Sequence, residues 1–319
     1  MRRSPFLIAL LLAASPLKAE TLYISDEQAD VVHIVDPSTM EVVGKIPLGR
    51  RPRGIALSAD GKILYVAVSN DNRIDAVDLK TRTVAAHIPS GPDPETFALH
   101  PDGRRLFVAN EDDNLASFVD IAARKITGEV AIGTEPEGSA VSPDGSLVVV
   151  TSESSSMVHF IDAANGALLD NLLVDTRPRY ARFTPDGKRL WVSSEARGTV
   201  SVIDVATRKI VGRIDFEAMN LPAEIIQPVG IAITRDGSRA FVALGRGNMV
   251  AEIDPKSLAL VRTFPVGQRA WNLALSPDEK RLYTANGLSG DMSVIDLVAN
   301  KTKGNISLGG KPWGIVAAP

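Results

Sequence analysis

The residues of this chain that could do chemistry stand in columns, 42 residues apart with one step of 50. One column reads Arg51, Asp93, Glu135, Arg177, Gln227, Arg269 and Lys311, polar or charged throughout. Two places further on, a second reads Arg53, Glu95, Glu137, Arg179, Val229, Trp271 and Trp313. Between them runs proline, at Pro52, Pro94, Pro136, Pro178, Pro228 and Pro312, with Ala270 in the sixth place. Tyr180 follows Arg179 where most repeats carry glycine. Arginine forks match carboxylate and phosphate groups, and tryptophan supplies a flat apolar wall. Such a set could hold an anionic, partly planar ligand or a protein loop. The same residues could instead close on themselves, because neighbouring arginines and carboxylates satisfy each other. A metal centre is not expected, since the two pairs of acids (Asp93 with Glu95, Glu135 with Glu137) face arginines.

Hydrolytic chemistry would need a general base, and histidine is the usual one. The four histidines, His33, His87, His100 and His159, all fall outside these columns. Glu95 or Glu137 could serve, but each has arginines nearby that favour pairing. There are no cysteines, which removes disulfides, thiolate metal sites, a lipoprotein anchor and Cys-x-x-Cys-His haem attachment. No cofactor is expected.

The columns need a repeating scaffold, and two ladders outline it. Asp60, Asp102, Asp144, Asp186, Asp236 and Asp278 sit in turns such as Ser142-Pro143-Asp144-Gly145 and Thr184-Pro185-Asp186-Gly187. Ser or Thr first, Pro second and Gly fourth suit a type I turn. Asp36, Asp78, Asp120, Asp162, Asp204, Asp254 and Asp296 form the second ladder, with the same single interruption. Repeats of this length indicate propellers or solenoids. Each unit reads as four strands: a short apolar one before the Asp-Gly turn, one with an aromatic (Tyr23, Tyr65, Phe107, Trp191, Phe241, Tyr283; Val149 excepted), one ending in Val/Ile-Asp, and a fourth such as Ile210 to Ile214. Strands apolar on both faces must be covered on both, as stacked blades around an axis are. Extending the turn ladder by 42 passes the last residue, so residues 313–317 are an inner strand without a blade, and residues 21–49 a blade without an inner strand. The expectation is an all-β, seven-bladed β-propeller of four-stranded blades over residues 20–319, closed by pairing the C-terminal strand with the N-terminal blade.

In that architecture the proline column lies at one mouth of the central channel. The acidic ends of the second strands, Asp26-Glu27, Glu111-Asp112-Asp113, Glu153 and Glu195, should share that face as a solvated rim or as a docking surface for a basic partner. The eight-residue excess falls within residues 216–225, whose Phe, Met, Leu and Ile content is unusual for a loop. It either tucks against a blade or forms an apolar lip over the mouth, and the lip is the expectation here.

Leu64-Tyr65-Val66-Ala67, Leu106-Phe107-Val108-Ala109-Asn110 and Leu282-Tyr283-Thr284-Ala285-Asn286, each followed by a Val/Ile-Asp strand, resemble the YVTN-family β-propeller repeats of surface-layer-like proteins, although a strict Tyr-Val-Thr-Asn string is absent. The likeness covers residues 20–319 and is nearest to the PQQ-dependent catabolism-associated β-propeller proteins. That resemblance implies company with quinoprotein alcohol dehydrogenases and transporter components.

Residues 1–19 follow the plan of a secretory signal peptide: Arg2 and Arg3, an apolar run from Phe6 to Ala14, then Pro16 and Ala19. The run is too short for a membrane span. Removing residues 1–19 takes away Arg2, Arg3 and Lys18 and moves the formal net charge from −3 to −6. A mildly acidic protein without a basic stripe is a poor nucleic-acid binder. The expected protein is a monomer, periplasmic or secreted, without a membrane anchor. It would act as a non-catalytic binding or assembly protein, associated through that resemblance with PQQ-dependent alcohol oxidation; the alternative is a lactonase-type hydrolase with its site at the channel mouth.

Overall fold

The computed structural model describes residues 20–216, 219–222 and 224–319; residues 1–19 lie outside the described residues. Seven four-stranded antiparallel sheets form a ring. The first blade runs outwards through Pro52–Leu57, Ile63–Val68, Arg73–Asp78 and Thr83–Pro89. In the seventh, Pro312–Ala318 is the inner strand, followed outwards by Thr21–Asp26, Val31–Asp36 and Glu41–Pro47. Thr21 pairs with Ala318, Tyr23 with Val316 and Asp26 with Pro312. The chain is a seven-bladed β-propeller closed by its two ends, as the repeat arithmetic requires. Among the described residues no helix is long and apolar enough to cross a membrane.

The aromatic column is core filling. Trp191, Phe107, Phe241 and Tyr283 are wholly buried between blades, where large rings remove the most apolar surface from water. The carboxylate ladders are local braces. Asp78 Oδ1 accepts from the Lys80 N–H at 2.7 Å, and Asp162 Oδ1 from Ala164 at 2.8 Å. Asp60 accepts from the Ser58 hydroxyl and the Lys62 N–H, bonds that hold its carboxyl down at about 2. These are Asx-type turns, which short acidic side chains make with their own backbone.

The insertion behaves differently from the expectation. Phe216 and Ile226 are buried, and Met219 and Leu221 pack beside them against a cluster containing Trp191, Val200, Ile214 and Ile231. Residues 217, 218 and 223 lie outside the described residues and Ile225 is exposed, but Phe216, Met219, Leu221 and Ile226 tuck into the seam between two blades instead of forming a lip, because they find more burial there than over a charged mouth.

Candidate functional site

The proline column marks the start of six inner strands, including the one that begins at Ala270. In five blades the preceding residue is left-handed: Arg51 (φ 58°), Asp93 (43°), Glu135 (57°), Arg177 (64°) and Arg269 (59°). Side chains disfavour this region, so the surroundings must impose it. Two clamps do so in most of these blades. The Arg51 N–H donates to Asp30 Oδ1 at 2.9 Å and the Asp93 N–H to Asn72 Oδ1 at 3.0 Å; Asn114 and Asn248 hold Glu135 and Arg269 in the same way. The carbonyls of Arg51, Asp93, Glu135, Arg177 and Arg269 accept from Ser69, Glu111, Glu153, Glu195 and Gly287.

The residue after the proline position then falls in a β-bulge. Pro94 pairs with Asn110 and Thr96 with Ala109, leaving Glu95 without a ladder partner; Arg179 and Trp271 are left out in the same way. Bulges re-aim side chains, and here they gather the column into one ring. Arg51 pairs with Asp93 at 3.0 Å and Glu95 at 3.1 Å. Arg53 pairs with Glu27 at 3.0 Å and also with Glu95. Arg179 reaches Glu137 at 2.7 Å, Glu153 at 2.8 Å and Glu195 at 3.6 Å. Arg177 bridges Glu153 and Glu195, and Arg269 pairs with Glu195. Trp271 carries Arg269 4.0 Å and Arg179 5.5 Å from its ring centre, and Trp313 carries Arg53 at 5.3 Å. These are cation–π distances.

Five arginines thus share six carboxylates. The inner members of the ring are buried, Arg53 being 9% exposed, Arg179 6% and Glu137 2%, while Arg177 and Arg51 stay open to solvent. Burial pushes Glu137 upwards, and a hydrogen bond to Glu153 adds to this, although Arg179 opposes it. Burial works against charge on Glu153 too, but Arg179, Glu137 and Arg177 hold it below the usual carboxylate range. Burial alone would lower Arg179, yet its three carboxylates keep it above the ordinary arginine value. Glu153 and Glu195 have Arg177 and Arg269 as further partners, so Glu137, the most buried of the three and bonded to Glu153, is the one that keeps its proton.

Two of the residues expected here lie apart. Lys311 is exposed; its N–H donates to Asp26 Oδ1 at 2.8 Å, while its ammonium pairs with no carboxylate among the described residues. Tyr180 is half-buried, packs beside the cluster that contains Trp191 and Ile231, and lines two cavities. Conversely, Glu27, Glu153 and Glu195 belong to the ring itself, not to a separate rim. Their column (Glu27, Ser69, Glu111, Glu153, Glu195, Gly245, Gly287) is in the sequence, and its alternation with the inner-strand loops was the signal. Side-chain oxygens of Asp93, Glu95 and Glu111 come within 4.8 Å of one another, a spacing a cation could bridge. Arg51 and Arg53 already supply positive charge to two of the three. The histidines lie outside the ring: His33 bonds Asp26 at 3.0 Å, His87 bonds Asp75 at 2.6 Å, His100 bonds the Gly145 carbonyl at 2.9 Å, and His159 bonds Asn171 at 2.6 Å.

No protein-family model matches the chain, and no curated protein does. Solved structures do match it. A chain of Kuenenia stuttgartiensis hydrazine synthase superposes with a TM-score of 0.78 at 23% identity, over 91% of this chain and 99% of that one. A functionally unknown protein from Desulfotomaculum acetoxidans gives 0.78 at 18%, over 93% and 98%. A "putative 6-phosphogluconolactonase" from Bacteroides uniformis gives 0.75 at 17%, over 94% and 100%. What they share with this chain is the propeller. At such identities the likeness concerns fold alone, and one fold hosts many functions.

Proposed function

We propose that this chain is an exported, non-catalytic β-propeller that acts as a periplasmic binding or assembly protein accompanying PQQ-dependent alcohol oxidation. The observation that carries the non-catalytic part is the closed ring. Every arginine of the mouth is paired with a carboxylate, and the two glutamates best placed to act as bases, Glu95 and Glu137, are buried against arginines. A base needs access to the proton it removes. What the face offers to a partner is the acidity left over around the ring, with Asp112 exposed and Glu111 and Glu135 partly so. Complementary charge of that kind sets partner choice and association rate. The export and quinoprotein parts rest on the pattern of residues 1–19 and on the repeat resemblance.

Recovering the mature protein from its native periplasm tests this reading. Its N-terminus should lie near Glu20, and a quinoprotein dehydrogenase or a transporter's solute-binding component should accompany it. Glu111→Lys with Asp112→Lys should release that companion. An intact Met1 on cytoplasmic protein would sink the export part. A protein that comes down alone and turns over lactones would replace the binding role with the hydrolase.

A further inference from the structure

At the opposite end of the channel, blade four departs from its six sisters at two positions on one strand. The column occupied by Ala56, Ala98, Ala140, Ala232, Ala274 and Val316 holds Arg182. Two residues earlier, where four sisters carry Gly54, Gly138, Gly230 and Gly314 and two carry Thr96 and Asn272, it holds the far bulkier Tyr180. Residues two apart on a strand share a face, and both lie on Pro178–Phe183, the inner strand of that blade. Together they line an axial cavity of about 510 Å3. Phe97, Phe183, Ile55, Val141 and Ile233 give it apolar walls, and Pro143, Thr184 and Arg235 place its opening among the Asp-Gly turns.

The polar ends of these two side chains are unused. Among the described residues Arg182 makes no ion pair or hydrogen bond, and the Tyr180 hydroxyl has no partner. Arg182 is exposed and its charge is met by solvent when the site is empty; what sets it apart from other solvent-facing arginines is its place beside the apolar walls of an axial cavity. A packing need does not explain it, because alanine or valine serves in the other six blades. Further along the axis Tyr180 and Trp313 line a smaller cavity of about 80 Å3, and the buried Trp313 indole N–H also lacks a partner. A concave site of several hundred Å3 that sets convergent polar groups beside apolar walls has the form of a small-molecule pocket.

We propose that this cavity binds a small organic anion, its carboxylate or other oxyanion held by the Arg182 guanidinium and the Tyr180 hydroxyl, and its apolar body lying against Phe97 and Phe183. The site is separate from the arginine ring and stands whether or not that face docks a partner.

Fluorescence titration with 8-anilinonaphthalene-1-sulfonate, an apolar anion, tests the proposal against its uncharged analogue N-phenyl-1-naphthylamine. The wild type should bind the anion saturably at one site. Arg182→Ala installs the residue other blades carry, so the melting temperature should not move, while affinity for the anion falls about tenfold or more. Affinity for the uncharged probe should stay within about twofold, since the apolar walls remain. Tyr180→Phe should show a smaller loss of the same kind. If Arg182→Ala is unstable, Arg182→Gln keeps the side-chain stem and should lose the anion equally. Unchanged anion affinity in a folded Arg182 variant, or no saturable binding by the wild type, overturns the proposal.

Discussion

Arg179 reaches Glu137, Glu153 and Glu195, all of them buried, and shares the last two with Arg177 and Arg269. An exposed mouth would make such pairs worth at most about 1 kcal/mol each, and the residue columns alone support that view. Burial changes the class of the interaction. Removing one partner of a buried network strands the others, at about 3–5 kcal/mol. Arg179→Ala should therefore lower stability by roughly that amount in urea denaturation, and Arg53→Ala should act in the same direction. Glu137→Gln should be far milder, because its carboxyl is the one held protonated. A carboxyl raised in the folded state binds its proton more tightly there than in the unfolded chain. Its contribution is complete below the unfolded value near 4.5 and fades as pH rises towards its folded value of about 8. Melting temperature should thus decline between those pH values in the wild type, and the decline should be shallower in Glu137→Gln. A steeper fall in the variant would refute the protonated assignment.

At the scale of elements, turns and strands were legible because their requirements are local. An Asp-Gly pair, an Asx brace and an aromatic column each state their purpose within a few residues. The insertion was not legible. Nothing within Phe216–Ile225 says which neighbour its apolar residues will meet, and the answer, Trp191 and Val200, lies in a strand pair of the preceding blade. Phe216→Ala should consequently cost about 3–5 kcal/mol, whereas a phenylalanine in a free lip would cost little; guanidinium unfolding separates the two. The charged ring was half legible. The columns named Arg51, Arg53, Glu95, Glu137, Arg177, Arg179, Arg269, Trp271 and Trp313, but the bulge that turns them inwards and the acids that meet them come from a neighbouring loop. Tyr180 was read with the mouth because it follows Arg179, yet in a strand the next residue faces the other way.

For the molecule as a whole, the join between the two ends matters most. Deleting residues 311–319 removes the inner strand of the seventh blade, with its ladder hydrogen bonds at about 1 kcal/mol each. It also exposes surface covered by Trp313 and Ile315, both buried, at roughly 2–3 kcal/mol apiece. Against a total of about 5–15 kcal/mol, the truncated chain should be unfolded or melt far below the intact one, and co-melting would contradict the ring. The same join orders events in time. Thr21 is among the first of the described residues to be synthesised, and its partner Ala318 is the next to last of the chain. A nascent chain halted anywhere before its final strand is an open row of blades whose terminal strands offer unpaired backbone to whatever is nearby. Closure of the native ring is therefore withheld until the strand Pro312–Ala318 has left the ribosome.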